Sequence, residues 1–298
     1  DTTSAALPAG TFLDDDRPLT VSSVTVNEAS PYATFTVTGA NGQKVLLDLA
    51  NASGDAPTDT AGGKAALGTP TLEYFDGTWK TYDASNPPAI TSGTTLLVRV
   101  GITAERDTAL DGPETFNLVA TNTGGISGTG EATIVDDGTG SWFDYANAST
   151  STPLSAPAAS ALDDDRPITV TGGTWNEGSP RAVFTVDANP DQWLTFDAVD
   201  AAGNGKPTTG PGSAPIYYSL DGGATWALYA GNPVKAGTAD VLVAVDITGE
   251  IDSGYEGEEQ LQLLVDDAEL ARRRQDWKAP VTPYTRGYIR LYQQHVTQ

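Results

Sequence analysis

The hexapeptide LDDDRP occurs twice, at residues 13–18 and 162–167, which sets the copies 149 positions apart in a chain of 298. This half-length spacing constrains the fold more than any single composition value. It marks one domain-sized unit used twice, and each half must then bury a core of its own. The chain is long enough for two such cores.

The residues after each copy are patterned alike. In the first half, apolar positions alternate through 19–26 and 33–37, and a further strand covers 45–49. Segments 72–75 and 79–82 flank Asp76-Gly77-Thr78, a hairpin signal. Segments 96–102, 115–121 and 131–135 complete the set. The second half replays it at 182–186, 193–199, 217–218, 226–229, 241–247 and 287–292. About seven short strands per repeat, punctuated by Gly, Pro, Asn and Asp, predict an all-β chain of two tandem immunoglobulin-like antiparallel β-sandwiches. The expected layout is an N-terminal arm at 1–12, a first sandwich at 13–140, a Pro/Ser/Ala-rich linker at 141–161 and a second sandwich at 162–298. Trp142, Phe143 and Tyr145 at the linker's start predict that part of it is pinned to a domain surface.

The second repeat departs from the first near its end. Glu114 to Gly130 spans 16 positions, whereas the matching Glu259 to Gly287 spans 28. The additional segment contains Glu269-Leu270-Ala271-Arg272-Arg273-Arg274, which reads as a short helix. From residue 266 onward there are six Lys/Arg against four Asp/Glu, the one net-basic part of the chain.

Elsewhere the balance is acidic. Sixteen Lys+Arg against 39 Asp+Glu leave a net charge of −23, which argues against nucleic-acid binding because phosphate contacts need clustered cations. With no cysteine, disulfides, thiolate catalysis and Cys-ligated metal sites are excluded. No apolar run approaches the length of a membrane-spanning helix. The absence of methionine reads as a processed product or an excerpt.

Four constellations stand out. The first is a set of carboxylates at matched positions: Glu28 with Glu177, Glu105 with Glu250, Asp107 with Asp252, Asp111 with Glu256, and Glu114 with Glu259. Asp136 and Asp137 follow the last strand of the first repeat. Gathered at one pole of a sandwich, such groups repel unless a cation binds, and Ca²⁺ accepts 6–8 oxygens in irregular geometry. The plainer reading is an acidic turn held by solvent and backbone N–H groups. The second is the Asp triplet of LDDDRP, either a cation site at the hand-over between repeats or an acidic turn paired with Arg17 and Arg166.

The third is Ser219-Leu220-Asp221-Gly222-Gly223-Ala224-Thr225-Trp226, an S-x-D-x-G-x-T-W pattern whose Asp ties up a hairpin turn. The fourth is a group of aromatics near the hairpins: Trp79, Tyr82, Tyr217, Tyr218, Trp226 and Tyr229. They suit either packing on a strand face or stacking on sugar rings. Catalysis has little to stand on. His295 is the single histidine, the fourth residue from the end, and nothing singles out a carboxylate pair in a cleft.

The segments VNEASPYATFTV, LLVRV, DGPETFNLVATNT and GEATIVDDGTG resemble the tandem repeats of large bacterial RTX-type adhesins and, more distantly, Calx-β domains. The resemblance covers nearly all of the first repeat and about two-thirds of the second. It implies Calx-β-like sandwiches exported to the bacterial cell surface, stacked as extender segments and rigidified by Ca²⁺. The ligands it implies are Glu28, Asp107, Asp111, Glu114, Asp136 and Asp137 in the first repeat, and Glu177, Asp252, Glu256 and Glu259 in the second. The second repeat has Gln293-Gln294 where the first has Asp136-Asp137. The expectation is therefore a non-enzymatic, calcium-dependent adhesin or extender pair, secreted or on the cell surface. Its partners would be neighbouring repeats, copies of the same protein, or cell-surface glycans. A self-assembling subunit of a surface layer or filament, and a carbohydrate-binding module, are the alternatives.

Overall fold

The computed structural model describes residues 14–51, 67–91, 93–107, 109–143, 162–200, 214–250, 259–268 and 285–292. The chain divides into two compact units, Asp1–Asp163 and Asp164–Gln298.

In the first unit, β1 (Thr20–Val21), β3 (Tyr32–Thr38), β5 (Leu72–Phe75), β6 (Trp79–Thr81) and β7 (Thr95–Gly101) form one sheet in the order β1-β3-β7-β5-β6. The strands β2 (Val24–Asn27), β4 (Leu46–Asn51), β8 (Glu114–Thr121) and β9 (Ser127–Val135) form the other, in the order β2-β9-β8-β4. The first strand therefore changes sheets at its middle. Its first part pairs antiparallel with β3, and its second runs parallel to β9. This is the two-sheet arrangement of an immunoglobulin-like sandwich.

The second unit repeats it. One sheet is built from β10 (Thr169–Thr171), β12 (Arg181–Asp187), β14 (Ile216–Ser219), β15 (Ala227–Leu228) and β17 (Val241–Asp246), in the order β10-β12-β17-β14-β15. The other is built from β11 (Thr174–Asn176), β13 (Trp193–Asp200), β16 (Val234–Lys235), β18 (Glu259–Asp267) and β19 (Thr285–Tyr292), in the order β11-β19-β18-β13-β16. A 3-10 turn, Thr248–Glu250, follows β17. The expected helix at 269–274 lies outside the described residues, as do Tyr145 and His295.

The alternation read from the sequence is what builds the two cores. Ala33, Phe35 and Val37 of β3 are fully buried, as are Phe116, Leu118 and Ala120 of β8 on the facing sheet. Phe35 and Phe116 meet edge-to-face across the sandwich with centroids 5.9 Å apart. Truncating either to Ala would cost about 3–5 kcal/mol. In the second unit Ala182, Phe184 and Val186 occupy the equivalent face of β12, and Phe196 packs edge-to-face on Tyr229 at 5.1 Å. The expected pinning of the linker is seen at Trp142, whose indole N–H donates to Ala29 O at 3.2 Å, and at Phe143, which is buried.

Each LDDDRP stretch is an Asp–Arg staple. Arg17 Nε donates to Asp15 Oδ1 at 2.8 Å and its terminal nitrogen to Oδ2 at 2.6 Å. Arg166 holds Asp164 in the same way, with its Nε donating at 2.7 Å. A buried glutamine then clamps the main chain. Gln43 Nε2 donates to Arg17 O at 2.6 Å, and Gln192 Nε2 to Arg166 O at 2.7 Å. Gly124 backs closely onto the first stretch: a Cβ there would stand 2.4 Å from Asp16 Oδ1 and 3.0 Å from the Asp15 carbonyl carbon. Of the two readings of the triplet, the arginine-paired turn is the one the middle Asp of each copy adopts.

Candidate metal centre

The matched carboxylates of the first repeat converge. The loop between β7 and β8 carries Glu105, Asp107 and Asp111, Glu114 opens β8, Glu28 follows β2, and Asp136 follows β9. These six acidic residues line one cleft of about 220 Å³. Two strand ends and one loop meet there because β2 lies parallel to β9, so both strands deliver their following residues to the same edge. Glu28 N donates to Val135 O at 3.0 Å, which holds the two ends side by side.

The loop is folded onto this floor by its own amides. Asp107 N donates to Glu28 Oε1 at 3.0 Å. Asp111 N and Gly112 N both donate to Asp136 Oδ2, at 2.9 and 3.2 Å. Gly112 has φ +77°, a left-handed conformation that turns its N–H back towards Asp136. Glu28, Glu105 and Asp136 are buried, Glu114 is half-buried, and Asp107 and Asp111 are exposed at the rim. Arg106 is the sole cation in the sequence from 102 to 114, against four carboxylates in that stretch.

A seventh carboxylate comes from beyond the linker. An oxygen of Asp163, from the second LDDDRP, lies within 4.8 Å of one from Glu28. Two ionised carboxylates at that separation repel by about 3 kcal/mol at an effective dielectric of about 20. Asp163 is seated by Asn27, which is fully buried. Asn27 Oδ1 accepts Asp163 N–H at 2.8 Å, and Asn27 Nδ2 donates to Asp163 O at 2.9 Å. Gly138 N donates to the same carbonyl at 2.9 Å. The neighbouring turn needs close approach: a Cβ on Gly140 would stand 2.6 Å from Asn27 N.

All the acidic side chains of the cleft are hard oxygen donors, with neither imidazole nor thiolate among them. That chemistry suits a hard divalent cation of irregular coordination such as Ca²⁺, and it suits zinc or copper poorly. The mixture of buried floor and exposed rim also leaves a route from solvent.

Of the residues implied by resemblance, Glu28, Asp107, Asp111, Glu114 and Asp136 are brought together. Asp137 is not among the residues lining the cleft; its Oδ1 accepts Thr139 N at 3.1 Å and caps its own turn. Glu177 is half-buried in the second unit, next to the exposed Asn176. Asp252 and Glu256 lie outside the described residues, and so does the side chain of Glu259, whose backbone opens β18. The implied set omitted two residues that the structure places at the pole, Glu105 and Asp163. Glu105 recurs as Glu250, which was a usable signal. Nothing local to Asp163 reveals a contact with a residue 136 positions earlier.

The hairpin pattern behaves as its residue types require. Asp221 accepts from Thr225 Oγ1 at 2.6 Å, Thr225 N at 2.9 Å and Ser219 Oγ at 2.7 Å. These bonds, the Thr225 hydroxyl foremost, hold its carboxyl well below the ordinary value, at about 2. The aromatics divide. Tyr229 and Tyr218 pack on the core of the second unit, and Tyr82 packs on that of the first. Trp79 covers the Arg99 guanidinium at 4.3 Å.

No family model matches the chain. Dihydroxy-acid dehydratases of Burkholderia mallei and Burkholderia pseudomallei are 39% identical to it over 70 residues, 24% of this chain and 13% of theirs. The chain thus spans about 13% of the length of these curated relatives. Among solved structures, the human desmocollin-1 ectodomain aligns with 96% of this chain and 43% of its own, at TM-score 0.41 and 10% identity. A tetra-tandem repeat from the extending region of a large adhesion protein aligns with 92% of this chain and 48% of its own, at TM-score 0.24 and 11% identity. The fold stands on the strand order and registers above, and these alignments add nothing to it about role or partner.

Proposed function

We propose that this chain is a non-enzymatic pair of calcium-stabilised β-sandwich repeats, acting as an adhesive or extender segment of a bacterial surface or secreted protein. The observation that carries this reading is the convergence of Glu28, Glu105, Asp107, Asp111, Glu114 and Asp136 on one cleft. Six carboxylates with one intervening arginine are an unfavourable arrangement for an unliganded turn, and a divalent cation bound among them relieves the repulsion. In this role the cation is structural: it fixes the 107–112 loop to the ends of β2 and β9, and so stiffens the pole at which the chain leaves the first unit. The sequence resemblance to RTX-type adhesin repeats points the same way, as does the chain's strong net negative charge. Neighbouring repeats, further copies of the chain and surface glycans are the partners this role would call on.

The 70-residue likeness to dehydratases does not favour an enzymatic reading, because it covers so small a part of either protein. The test is thermal unfolding with calcium and with chelator. Calcium raises the unfolding temperature of the wild-type protein and chelator lowers it. Identical melting in the two conditions overturns the reading.

A further inference from the structure

One sheet edge differs between the two units in a way that their common fold does not require. In the first unit the sheet ends at β6, and in the second at β15; among the described residues no strand lies beyond either. Tyr229 N donates to Ile216 O at 2.8 Å, and Tyr82 N to Leu72 O at 2.8 Å. Inward-facing backbone groups alternate with outward-facing ones along an antiparallel ladder. Leu228, opposite Tyr217, and Thr81, opposite Glu73, therefore turn their N–H and C=O away from the sheet.

The first unit guards this edge with charge. Lys80, next to Thr81, pairs with Asp76 at 2.8 Å, and Asp83 follows. Charges on an edge strand keep other strands from pairing with it. The second unit has no such guard. The thirteen residues from 222 to 234 carry no charge. Ala227 is exposed, and Leu228, at 60%, is the most exposed large apolar residue among those described. The row that runs inward from it is apolar: Leu228, Tyr217, Ala244, Val183. The matching row of the first unit is Thr81, Glu73, Arg99, Thr34, closed by the Arg99–Glu73 ion pair at 2.6 Å. β15 is also held firmly. Asp221 ties the hairpin turn through Ser219 and Thr225, and Tyr229 packs on Phe196. An edge fixed in this way loses little freedom when another strand pairs with it.

We infer that β15 is a self-pairing edge: two copies of the chain join β15 to β15, antiparallel, about a two-fold axis at Leu228. The edge is self-complementary under that operation, because each Leu228 exchanges its N–H and C=O with those of its mate. Trp226 of each copy then faces Ala230 of the other, and the two leucines meet on the same face. The two five-stranded sheets become one continuous sheet across the pair. The absence of charge along this edge is what lets two chains of net charge −23 approach there. The contact is short, so the dimer is a weak one. The inference does not rest on the cation reading, since β15 and the acidic cleft lie in different units.

The test is sedimentation velocity on the full chain from about 1 μM to about 1 mM. Wild-type protein shows a monomer–dimer equilibrium that stops at the dimer. Leu228→Lys sets two like charges opposite each other and weakens dimerisation by about tenfold or more. Thr81→Lys, at the matching edge of the first unit, behaves as wild type. The chain has no cysteine, so single thiols report the register. Directly paired residues stand about 5.5 Å apart at Cα, within disulfide reach. Under mild oxidation Leu228→Cys cross-links about tenfold faster than Thr81→Cys or more, because its mate is held beside it. Ala227→Cys, whose mate is Tyr229, stays near the Thr81→Cys rate. Unchanged circular-dichroism melting establishes that each variant is folded. A wild type that is monomeric up to about 1 mM overturns the inference. So does a dimer that Leu228→Lys leaves as strong as wild type, which places the contact elsewhere. Equal cross-linking at 228 and 81, the result of chance collision, overturns it as well.

Discussion

Asn27 grips the backbone of Asp163 from both sides, accepting its N–H at 2.8 Å and donating to its C=O at 2.9 Å. The same carboxamide also serves Ala29 N, Thr139 O and Val135 O. A single buried side chain thus joins β2, the end of β9 and the start of the second LDDDRP.

Asn27→Ala strands several buried backbone groups at once. It should cost about 3 kcal/mol in the first unit, the range for breaking a buried hydrogen-bond network. Urea unfolding followed by circular dichroism would show this as a lower midpoint at unchanged slope. Asn176→Ala, at an exposed position, should shift the midpoint far less. Equal effects of the two substitutions would contradict the difference in burial.

The LDDDRP staple separates an exposed ion pair from a buried clamp. Gln43 is fully buried, donating to Arg17 O and accepting Ala40 N. Gln43→Ala should destabilise the first unit by about 2–3 kcal/mol, through the unsatisfied groups it leaves. Arg17→Ala should be nearly silent in the same assay, because an exposed pair is screened by solvent. An Arg17 effect as large as the Gln43 effect would assign the motif's stability to its charges instead.

The calcium response should localise to the cleft. A site occupied at about 100 times its Kd stabilises by about 2.7 kcal/mol, or roughly 5–10 °C in Tm for a unit of this size. Glu28→Gln and Glu114→Gln should each remove most of that rise while leaving the melting in chelator no lower than wild type, since each removes one repelling charge. Asp137→Asn, which lies outside the cleft lining, should keep the rise. Calorimetry on the three variants checks this.

Acid should loosen the second unit's hairpin over a defined window. Asp221 has its carboxyl held at about 2 by the Thr225 hydroxyl, the Thr225 N–H and the Ser219 hydroxyl. A folded value below the unfolded one means the contribution is complete above about pH 4 and is lost as pH falls through about 2. Asp15, paired with Arg17, and Asp191, paired with Lys235, are depressed in the same direction. Asp221→Asn should lower stability at neutral pH and flatten the loss between about pH 4 and pH 2. Parallel pH profiles for variant and wild type would refute the assignment.

Arg99 offers a further check on packing. Its guanidinium lies 4.0 Å from the Tyr32 ring centroid and 4.3 Å from that of Trp79, and its Nε donates to Glu73 at 2.6 Å. Arg99→Lys keeps the charge but loses the planar stacking, and should cost about 1–2 kcal/mol. The second unit has Ala244 in the matching strand position and instead places Arg181 on the neighbouring strand, 4.0 Å over Tyr217. The cation–aromatic contact has changed strands but not sheets.

Much of this was legible from residue order alone. Period-2 alternation of small and apolar residues at 33–37, 96–100 and 116–120 specifies which face of each strand is buried, because side chains on a strand alternate by geometry. The duplication of LDDDRP and of the acidic positions specifies two like units and most of one acidic pole. Five of the six residues implied as ligands in the first repeat line its cleft. The fates of Asn27, Gln43, Gln192, Arg99 and Asp163 were not legible. A polar residue is buried or exposed according to which distant groups satisfy it, and those partners lie 26 to 136 positions away in the chain. Asn27 and Asn176 make the point most directly: they open the same turn from the same local sequence type, yet one is enclosed and the other exposed. Residue order determined the strands, their buried faces and the acidic pole; only the tertiary structure decided which asparagine is covered by the next acidic stretch, because that cover comes from a part of the chain no local pattern can see.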